Sequence, residues 1–289
     1  MIMKFYHKSI VVIISILLIT NFAFSQEEKK PDTRPVRSPW SCGLLIDNQT
    51  TVSPSAKSIQ LTIHHRFGNF ENGFSDLFGI YAPSNIRFGL NIGITKKLMF
   101  GIGSEKNNKM QELLWKYNII QQTRSGNIPV SISYFGNIVM DARDESFFGG
   151  NYKFTHRLSY FNQIIVGRKF SKKLSLQLAP GYSHFNSVDS VFQHDKIVLS
   201  LGGRYKFYNN LSFLFEYDQA FAAKKAEDYQ TEIKPNLALG LEIGTSTHAF
   251  QITLSQFNNI ISQKNFGYNL NDFTKAEGWL LGFNITVKF

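Results

Sequence analysis

The chain has 289 residues, a formal net charge of +10 and an aromatic content of 15%, with 27 Phe and 12 Tyr. Its single cysteine, Cys42, excludes an internal disulfide framework and any paired-cysteine redox or zinc site. Beyond residue 25, no apolar run approaches the roughly 18 residues that a membrane helix needs, so a helical anchor is not expected.

The first 56 residues are predicted to form a signal peptide and a leader. Residues 1–25 carry Lys4 and Lys8, then an apolar run, then the small-residue end Ala23-Phe24-Ser25, a pattern typical of a cleaved secretory signal. Residues 26–56 start with a charged, proline-bearing stretch without periodicity, which predicts a flexible N-terminal leader in the periplasm. Cys42 lies too far downstream for lipid attachment and is interpreted as an isolated thiol of this leader.

Beyond residue 56, apolar and polar residues alternate with the period of β-strands. In the clearest example, Leu174, Leu176 and Leu178 share one face of a predicted strand, and Ser175 and Gln177 share the other. No stretch of helical period competes with this pattern. About twelve strands are predicted, near residues 57–67, 84–95, 97–104, 110–121, 129–140, 154–170, 173–184, 195–207, 210–220, 235–244, 247–255 and 278–289.

The connections between these strands are alternately short and long. Transmembrane β-barrels have short periplasmic turns and longer external loops, so this alternation and the even strand number predict that both termini lie in the periplasm. Two links break the rule, because the external link 105–109 is short and the periplasmic link 122–128 is longer than a turn. Pro180 lies inside a predicted strand and indicates a bulge or a distorted rim.

The last stretch, Gly278 to Phe289, indicates how the sheet closes. Apolar residues alternate along it with Asn284, Thr286 and Lys288. We expect this strand to pair with residues 57–67 and to remove the last open edge. The predicted fold is all-β, a transmembrane antiparallel up-and-down β-barrel of about 12 strands that follows a cleaved signal peptide.

Charged residues on the polar face are the candidate lining of the lumen. The apolar face must then point at lipid, because an uncovered apolar sheet would aggregate in water. In the hairpin that turns at Asn209, we expect Glu216 to lie diagonally across from Arg204, within reach of it. Two interpretations stay open, a constriction with a bias for anions and a network of ion pairs that plugs the lumen. The predicted lumen-lining charges are Arg66, Arg87, Glu112, Lys116, Arg157, Arg204, Lys206, Glu216, Asp218, Glu242 and Lys288.

No pattern of catalytic or metal-binding residues stands out, and no cofactor is predicted. The best metal candidates have no HxH or HExxH spacing; they are His64, His156, His184, His194, Asp189 and Asp195. His184 with Ser187 is the best pair for a lipid-acting enzyme, but no nucleophile elbow surrounds either residue. Lysine pairs are scattered over the turns without a basic stripe, so nucleic acid is not an expected partner; they are Lys96-Lys97, Lys172-Lys173 and Lys224-Lys225.

Seven short runs of the sequence stand out as a set. They are Leu45-Ile46-Asp47-Asn48-Gln49-Thr50, His65-Arg66-Phe67-Gly68, Asp76-Leu77-Phe78-Gly79, Ala82-Pro83-Ser84-Asn85-Ile86-Arg87, Lys106-Asn107-Asn108-Lys109, His156-Arg157-Leu158-Ser159-Tyr160 and Ala249-Phe250-Gln251. Together they resemble a family of outer-membrane β-barrels from Bacteroidota that is defined as a domain of unknown function. The resemblance extends from about residue 44 to the C-terminus, and it implies the barrel and its compartment without carrying over any site residue.

These observations favour a passive channel or transporter for small hydrophilic solutes in the outer membrane, with a preference for anions. The alternative is a structural or partner-bound barrel whose extracellular loops, such as 256–277, bind a surface protein. An outer-membrane lipid-acting enzyme has the least support of the three. The expected partners are outer-membrane lipid, a small solute of unknown identity and, in the alternative, a surface protein.

Overall fold

The residues that the structure describes, 31–223 and 231–289, form twelve β-strands, one short α-helix and several 3₁₀ turns in this computed structural model. The predicted signal peptide and the Lys224-Lys225 pair lie outside these ranges. Every predicted strand is present, and no strand end differs by more than four residues from the prediction. The elements are β1 (Ile59–Asn69), β2 (Asn85–Gly93), β3 (Leu98–Glu105), β4 (Met110–Ile120), β5 (Ser131–Asp141), β6 (Leu158–Lys169), β7 (Leu174–Phe185), β8 (Asp195–Tyr208), β9 (Leu211–Ala222), β10 (Asn236–Gly244), β11 (His248–Ser255), α1 (Ser262–Tyr268) and β12 (Leu280–Lys288).

The strands close into one antiparallel barrel in the order of the sequence. The last strand pairs with the first, with Leu61 opposite Val287 and Ile63 opposite Ile285. The predicted closure is therefore confirmed, and no strand of the barrel is left with an unpaired edge. We call the end where β1 begins and β12 finishes the terminal end, and the opposite end the loop end.

Side-chain hydroxyl groups fix three of the short turns at the terminal end. Thr95 Oγ1 accepts hydrogen bonds from the backbone N–H groups of Lys97 and Leu98, at 3.1 and 3.0 Å. Ser171 Oγ makes the same pair of contacts in the turn between β6 and β7, and Thr245 Oγ1 accepts one such bond between β10 and β11. These local bonds favour a tight reversal of the chain, so the turn residues themselves specify the short connections.

Alternate residues of each strand point away from the lumen and form an apolar outer surface. Phe88, Ile102 and Ile252 are among the large apolar side chains exposed on it. A continuous apolar surface around a closed sheet is suited to lipid, because in water it would drive aggregation. None of the described helices is long and apolar enough to cross a membrane.

Pro180 interrupts the β6–β7 ladder without the bulge that the sequence predicts. Gln163 lies opposite Gly181 and Val166 opposite Leu178, so the register is the same on both sides of the proline. Proline has no N–H to donate, and one missing ladder bond requires no extra residue. Of the two predicted alternatives, a bulge or a distorted rim, the bulge is therefore absent.

Two segments of the chain fill the lumen, one from each end. The N-terminal segment (residues 39–52) lies inside the barrel, where Leu45 and Ile46 are buried against Leu214 and Ala238. The loop-end segment (residues 256–269, including α1) packs Phe266 into the opposite half. The lumen therefore holds protein along its length, not only wall side chains.

The predicted flexible leader over 26–56 differs from the structure beyond residue 39. The charged, proline-bearing stretch ends at Pro39, and the following residues, Trp40 to Ile46, are mostly apolar. A barrel of twelve strands leaves more space than its own side chains occupy, and this apolar stretch is buried in that space. Cys42, interpreted as an isolated thiol of the leader, is buried there beside Leu44 and Ala249.

Candidate functional site: the filled lumen

One lumen carboxylate holds the tip of the N-terminal segment. Glu216 of β9 is fully buried and accepts hydrogen bonds from the backbone N–H groups of Ile46, Asp47 and Asn48, at 2.8 to 3.1 Å. The Asn48 side chain also donates to Asp218, at 2.6 Å. Three backbone donors around one carboxylate compensate for its removal from water. Glu216 therefore fixes the backbone of the segment rather than any one side chain.

A lumen cation makes the complementary contacts to the same segment. Lys116 of β4 is fully buried and donates to the backbone carbonyl groups of Gly43, Thr50 and Val52, at 3.3, 3.1 and 2.7 Å, and to Gln49 Oε1 at 3.0 Å. An ammonium group has three N–H donors, and these oxygens supply its acceptors. The backbone of the N-terminal segment is thus clamped between an anion on β9 and a cation on β4.

Buried ion pairs extend this clamp. Arg66 pairs with Asp47 of the segment at 2.7 Å, and both side chains are almost completely buried. Arg204 pairs with Glu242 across the wall at 2.8 Å, and Glu242 also accepts a hydrogen bond from Ser41 of the segment at 2.6 Å. Removing the segment would leave Arg66 without its carboxylate, which is costly inside a protein unless water replaces it.

Glycines in the wall provide the space that the N-terminal segment occupies. A Cβ atom at Gly202 would lie 2.5 Å from Leu45 Cδ2, and one at Gly240 would lie 3.4 Å from Ile46 Cδ1. At Gly167 it would lie 3.1 Å from Thr51. Because glycine weakens a strand, its use on the inward face of three strands indicates close approach by another part of the chain.

The longest connection at the terminal end holds the chain just before it enters the lumen. Pro35 forms an isolated bridge with Thr123, and Val36 N–H donates to the carbonyl of Gln122 at 2.9 Å. Arg124 lies 3.6 Å from Asp32. The link 122–128, which is longer than the other turns at the terminal end, therefore has a structural role as the docking site of residues 32–36.

The loop-end segment is held mainly by apolar packing. Phe266 of α1 stacks on Phe161, with 5.3 Å between ring centroids, and meets Phe257 edge-on at 5.6 Å. Polar contacts with the wall add to this packing. Glu105 of β3 accepts hydrogen bonds from the backbone N–H groups of Ile260 and Ile261 at 2.9 and 3.2 Å, and Gln263 donates to Asn137 at 2.6 Å. Aromatic burial of this kind is the strongest single contribution to packing.

The structure places the predicted lumen charges as follows. Ten of them lie on strands with inward phase, and eight of these are buried, Lys206 and Lys288 being partly exposed at the terminal end. The eleventh, Arg157, precedes β6 in a 3₁₀ turn at the loop end. Arg87 pairs with Glu112 across β2 and β4. Whether these groups line a path for solutes stays a prediction.

The predicted diagonal placement of Glu216 and Arg204 is confirmed, because Arg204 lies opposite Leu214 and Gly202 lies opposite Glu216. The two side chains nevertheless bind different partners, since the missing side chain of Gly202 admits the N-terminal segment. Glu216 binds the backbone of that segment, and Arg204 binds Glu242 instead.

Only two of the candidate histidines lie together among the described residues, His184 and His194, whose ring centroids are 6.3 Å apart. His184 contacts Asp195 at 2.6 Å through Nδ1 and Asn186 at 3.0 Å through Nε2, so neither ring nitrogen contacts Ser187. His64 lies in the lumen, and His194 Nδ1 contacts the carbonyl of Phe185 at 2.6 Å. Across the described ranges, no three His, Cys, Asp or Glu side chains are grouped so as to hold a metal ion.

Sequence reasoning missed Asp47, Glu105 and the inward-facing glycines. The glycines carried a usable signal, since Gly202 and Gly240 occupy inward positions where a barrel wall would otherwise carry polar side chains. Asp47 and Glu105 carried none, because their partners lie far away in sequence.

A family model described as "Membrane bound beta barrel domain (DUF5777)" matches residues 42–289. The chain belongs to this family. The match begins within the N-terminal segment, so most of that segment is part of the family's domain and not an appendage to it. The resemblance inferred from the sequence is confirmed at the level of the family, and an origin in Bacteroidota stays a prediction.

Searches of known structures return other barrels at low identity. A KdgM porin shares 9% identity with a TM-score of 0.45, covering 80% of this chain and 98% of that one. The COG4313 outer membrane channel from Pseudomonas putida F1 shares 12% with a TM-score of 0.49, covering 82% and 97%. LpxR from Salmonella typhimurium shares 12% with a TM-score of 0.38, covering 81% and 99%. A comparison of this chain with curated proteins finds no match.

Proposed function

We propose that the protein is an outer-membrane channel for small hydrophilic solutes that is closed by its own N-terminal segment. In this proposal the terminal end faces the periplasm and the loop end faces outward. The observation that carries the proposal is the polar, charged attachment of the segment to the wall. Glu216, Lys116 and Arg66 hold it through groups that water can also satisfy.

Withdrawal of the segment would convert these anchors into the lining of an aqueous passage. Asp47 would leave with the segment, so Arg66 would lose its carboxylate and Lys116 its carbonyl oxygens. The passage would continue beside the loop-end segment, where a cavity of 230 Å³ is lined by Asn85, Asn107, Asn258 and Asn271. Withdrawal would free Glu216 and Asp218 as well as these cations, so the preference for anions rests on the whole wall, where six of the ten predicted charges on strands are cations.

Planar-bilayer recording tests this proposal. We expect the full chain to conduct rarely, and a variant lacking residues 40–52 to conduct steadily with a preference for anions. Gly202→Val should have a weaker effect than the deletion in the same direction. The valine side chain would overlap Leu45 and displace the N-terminal segment without removing it. Leu201→Val is the matched control, since Leu201 is its neighbour on the same strand and points away from the lumen. Heat-modifiable migration in SDS gels verifies that each variant forms a barrel.

A partner-bound barrel is the second candidate. It is favoured by exposed aromatic side chains at the loop end, where Phe74 is 84% and Tyr81 78% exposed. In that case, the deletion variant would form a barrel and pass no current, and solubilised full-length protein would co-purify with a surface protein. Double substitution of Phe74 and Tyr81 by Ser would then abolish the co-purification.

A further inference from the structure

The loop end contains a cavity that is separate from the N-terminal segment and its anchors. It has a volume of 260 Å³ and lies between α1, the connection from β5 to β6 and the connection from β7 to β8. Its lining includes Arg143, Arg157 and Lys264 together with Asp141 and Asp189. Its size is slightly below the usual range for small-molecule sites, so it suits one small ligand.

Two cations of this cavity have no carboxylate partner. Arg143 forms a two-point pair with Asp141, with distances of 2.6 to 3.1 Å, so these two charges cancel. Within residues 31–223 and 231–289, no ion pair within 4.0 Å involves Arg157, Lys264 or Asp189. The cavity therefore has an excess of one positive charge, located on Arg157 and Lys264.

Neutral groups hold Arg157 in place and leave its charge unpaired. Its Nε donates to the Tyr152 hydroxyl at 2.5 Å, and Nη1 donates to the carbonyl groups of Asp141 and Arg143. The guanidinium carbon lies 5.0 Å from the centroid of the Phe148 ring. The guanidinium is thus oriented before any ligand arrives, which lowers the entropic cost of binding.

Lys264 is positioned by aromatic rings. Its Nζ lies 4.1 Å from the ring centroid of Tyr268 and 5.4 Å from that of Phe185. Burial lowers the pKa of Lys264, since the charged form loses water there. An aromatic face attracts the ammonium group but accepts no directional hydrogen bond, so the N–H donors are available to an anion.

We propose that this cavity binds a small solute through one oxyanion group, a carboxylate or a phosphate, held between Arg157 and Lys264. The oxyanion supplies the acceptors and the negative charge that the cavity lacks, and the rings of Phe185 and Tyr268 cover the rest of the solute. The site does not depend on the channel proposed above, because among the described residues no hydrogen bond or ion pair joins Arg157 or Lys264 to the N-terminal segment.

Isothermal titration calorimetry of the detergent-solubilised full chain tests this site. The probes are glucuronate, glucose 1-phosphate and neutral glucose. We expect at least one anion to bind ten or more times more tightly than glucose, and the preferred anion identifies the group as a carboxylate or a phosphate. Lys264→Met should weaken that binding at least tenfold, whereas Lys264→Arg should retain it because the charge is kept.

Lys275→Met is the control, since Lys275 is exposed on the same connection and lies outside the cavity. Equal affinity for glucose and both anions, or unchanged binding in Lys264→Met, would overturn the site. Failure of all three probes to bind would also overturn the site. If the full chain binds the anion but the variant lacking residues 40–52 conducts no current, only the proposed channel is contradicted. The two proposals can therefore be refuted independently of each other.

Discussion

The two segments that fill the lumen are held by different kinds of interaction. The N-terminal segment is clamped through its backbone by Glu216 and Lys116, whereas the loop-end segment buries Phe257 and Phe266 among aromatic and aliphatic side chains. Water can replace the polar contacts at modest net cost, but it cannot replace the apolar ones, and the N-terminal segment also buries Leu45 and Ile46. In the proposed channel, its larger share of charged anchors makes the N-terminal segment the part that leaves, whereas the loop-end segment stays.

The largest expected effect tests the apolar side of this comparison. Phe266→Ala removes a buried ring from the contact between α1 and the wall, which costs about 3–5 kcal/mol. Hydrogen exchange of the α1 amides should therefore accelerate by more than about 100-fold. Leu270→Ala is the control, because Leu270 is exposed just after α1, and it should leave the exchange rates unchanged. Similar rates in both variants would show that α1 is not held by this packing.

A smaller effect tests the polar attachment of the N-terminal segment. Glu216→Gln keeps the size of the side chain but removes the charge that accepts three backbone hydrogen bonds, and hydrogen bonds to charged groups contribute about 1.5–3 kcal/mol. For a loss of ~2 kcal/mol, exchange of the amides of Ile46, Asp47 and Asn48 should accelerate roughly 30-fold while α1 is unaffected. Equal acceleration in both segments would mean that they unfold as one unit, contrary to the comparison. Glu277→Gln, at an exposed position, is the control.

The smallest effect concerns a charge pair outside the lumen. Glu232 and Lys234 lie 2.7 Å apart, and the hydrogen bond that Lys234 donates to the Glu232 carboxylate raises the pKa of Lys234. Glu232 is exposed and Lys234 is partly exposed, so water screens the pair. Glu232→Gln should leave the thermal unfolding midpoint unchanged at neutral pH. A clear decrease would show that charge pairs stabilise this barrel wherever they occur, and that burial is not what distinguishes the lumen anchors.

Much of the barrel could be predicted because its signals are local. Alternation places each strand within a few residues, and hydroxyl residues such as Thr95 and Ser171 specify the turns. Closure of β12 on β1 follows from the two-faced last strand. The fold is thus encoded by patterns with short range in the sequence.

The filling of the lumen could not be predicted from such patterns. The contact between Glu216 and Ile46 joins residues that are 170 positions apart in the sequence. The residues flanking each of them form no pattern that predicts this contact. The leader was predicted to be flexible because its start is charged, bears prolines and has no periodicity. Strand parity brings the predicted charges to the inward face, but the partners of Glu216, Lys116 and Arg66 belong to a segment assigned to the periplasm.

A reversible lock on the N-terminal segment tests most directly whether its departure opens the barrel. Cys42 and Ala249 lie in one buried cluster, so Ala249→Cys places a second thiol beside the native one. In a Glu216→Gln background, which loosens the segment, planar-bilayer current should stop when the disulfide forms and return on reduction. The same variant with the additional substitution Cys42→Ala cannot form the disulfide, so its current should be the same under oxidising and reducing conditions. Current that persists while mass spectrometry shows the disulfide would contradict the account, because solutes would then pass without displacing the segment.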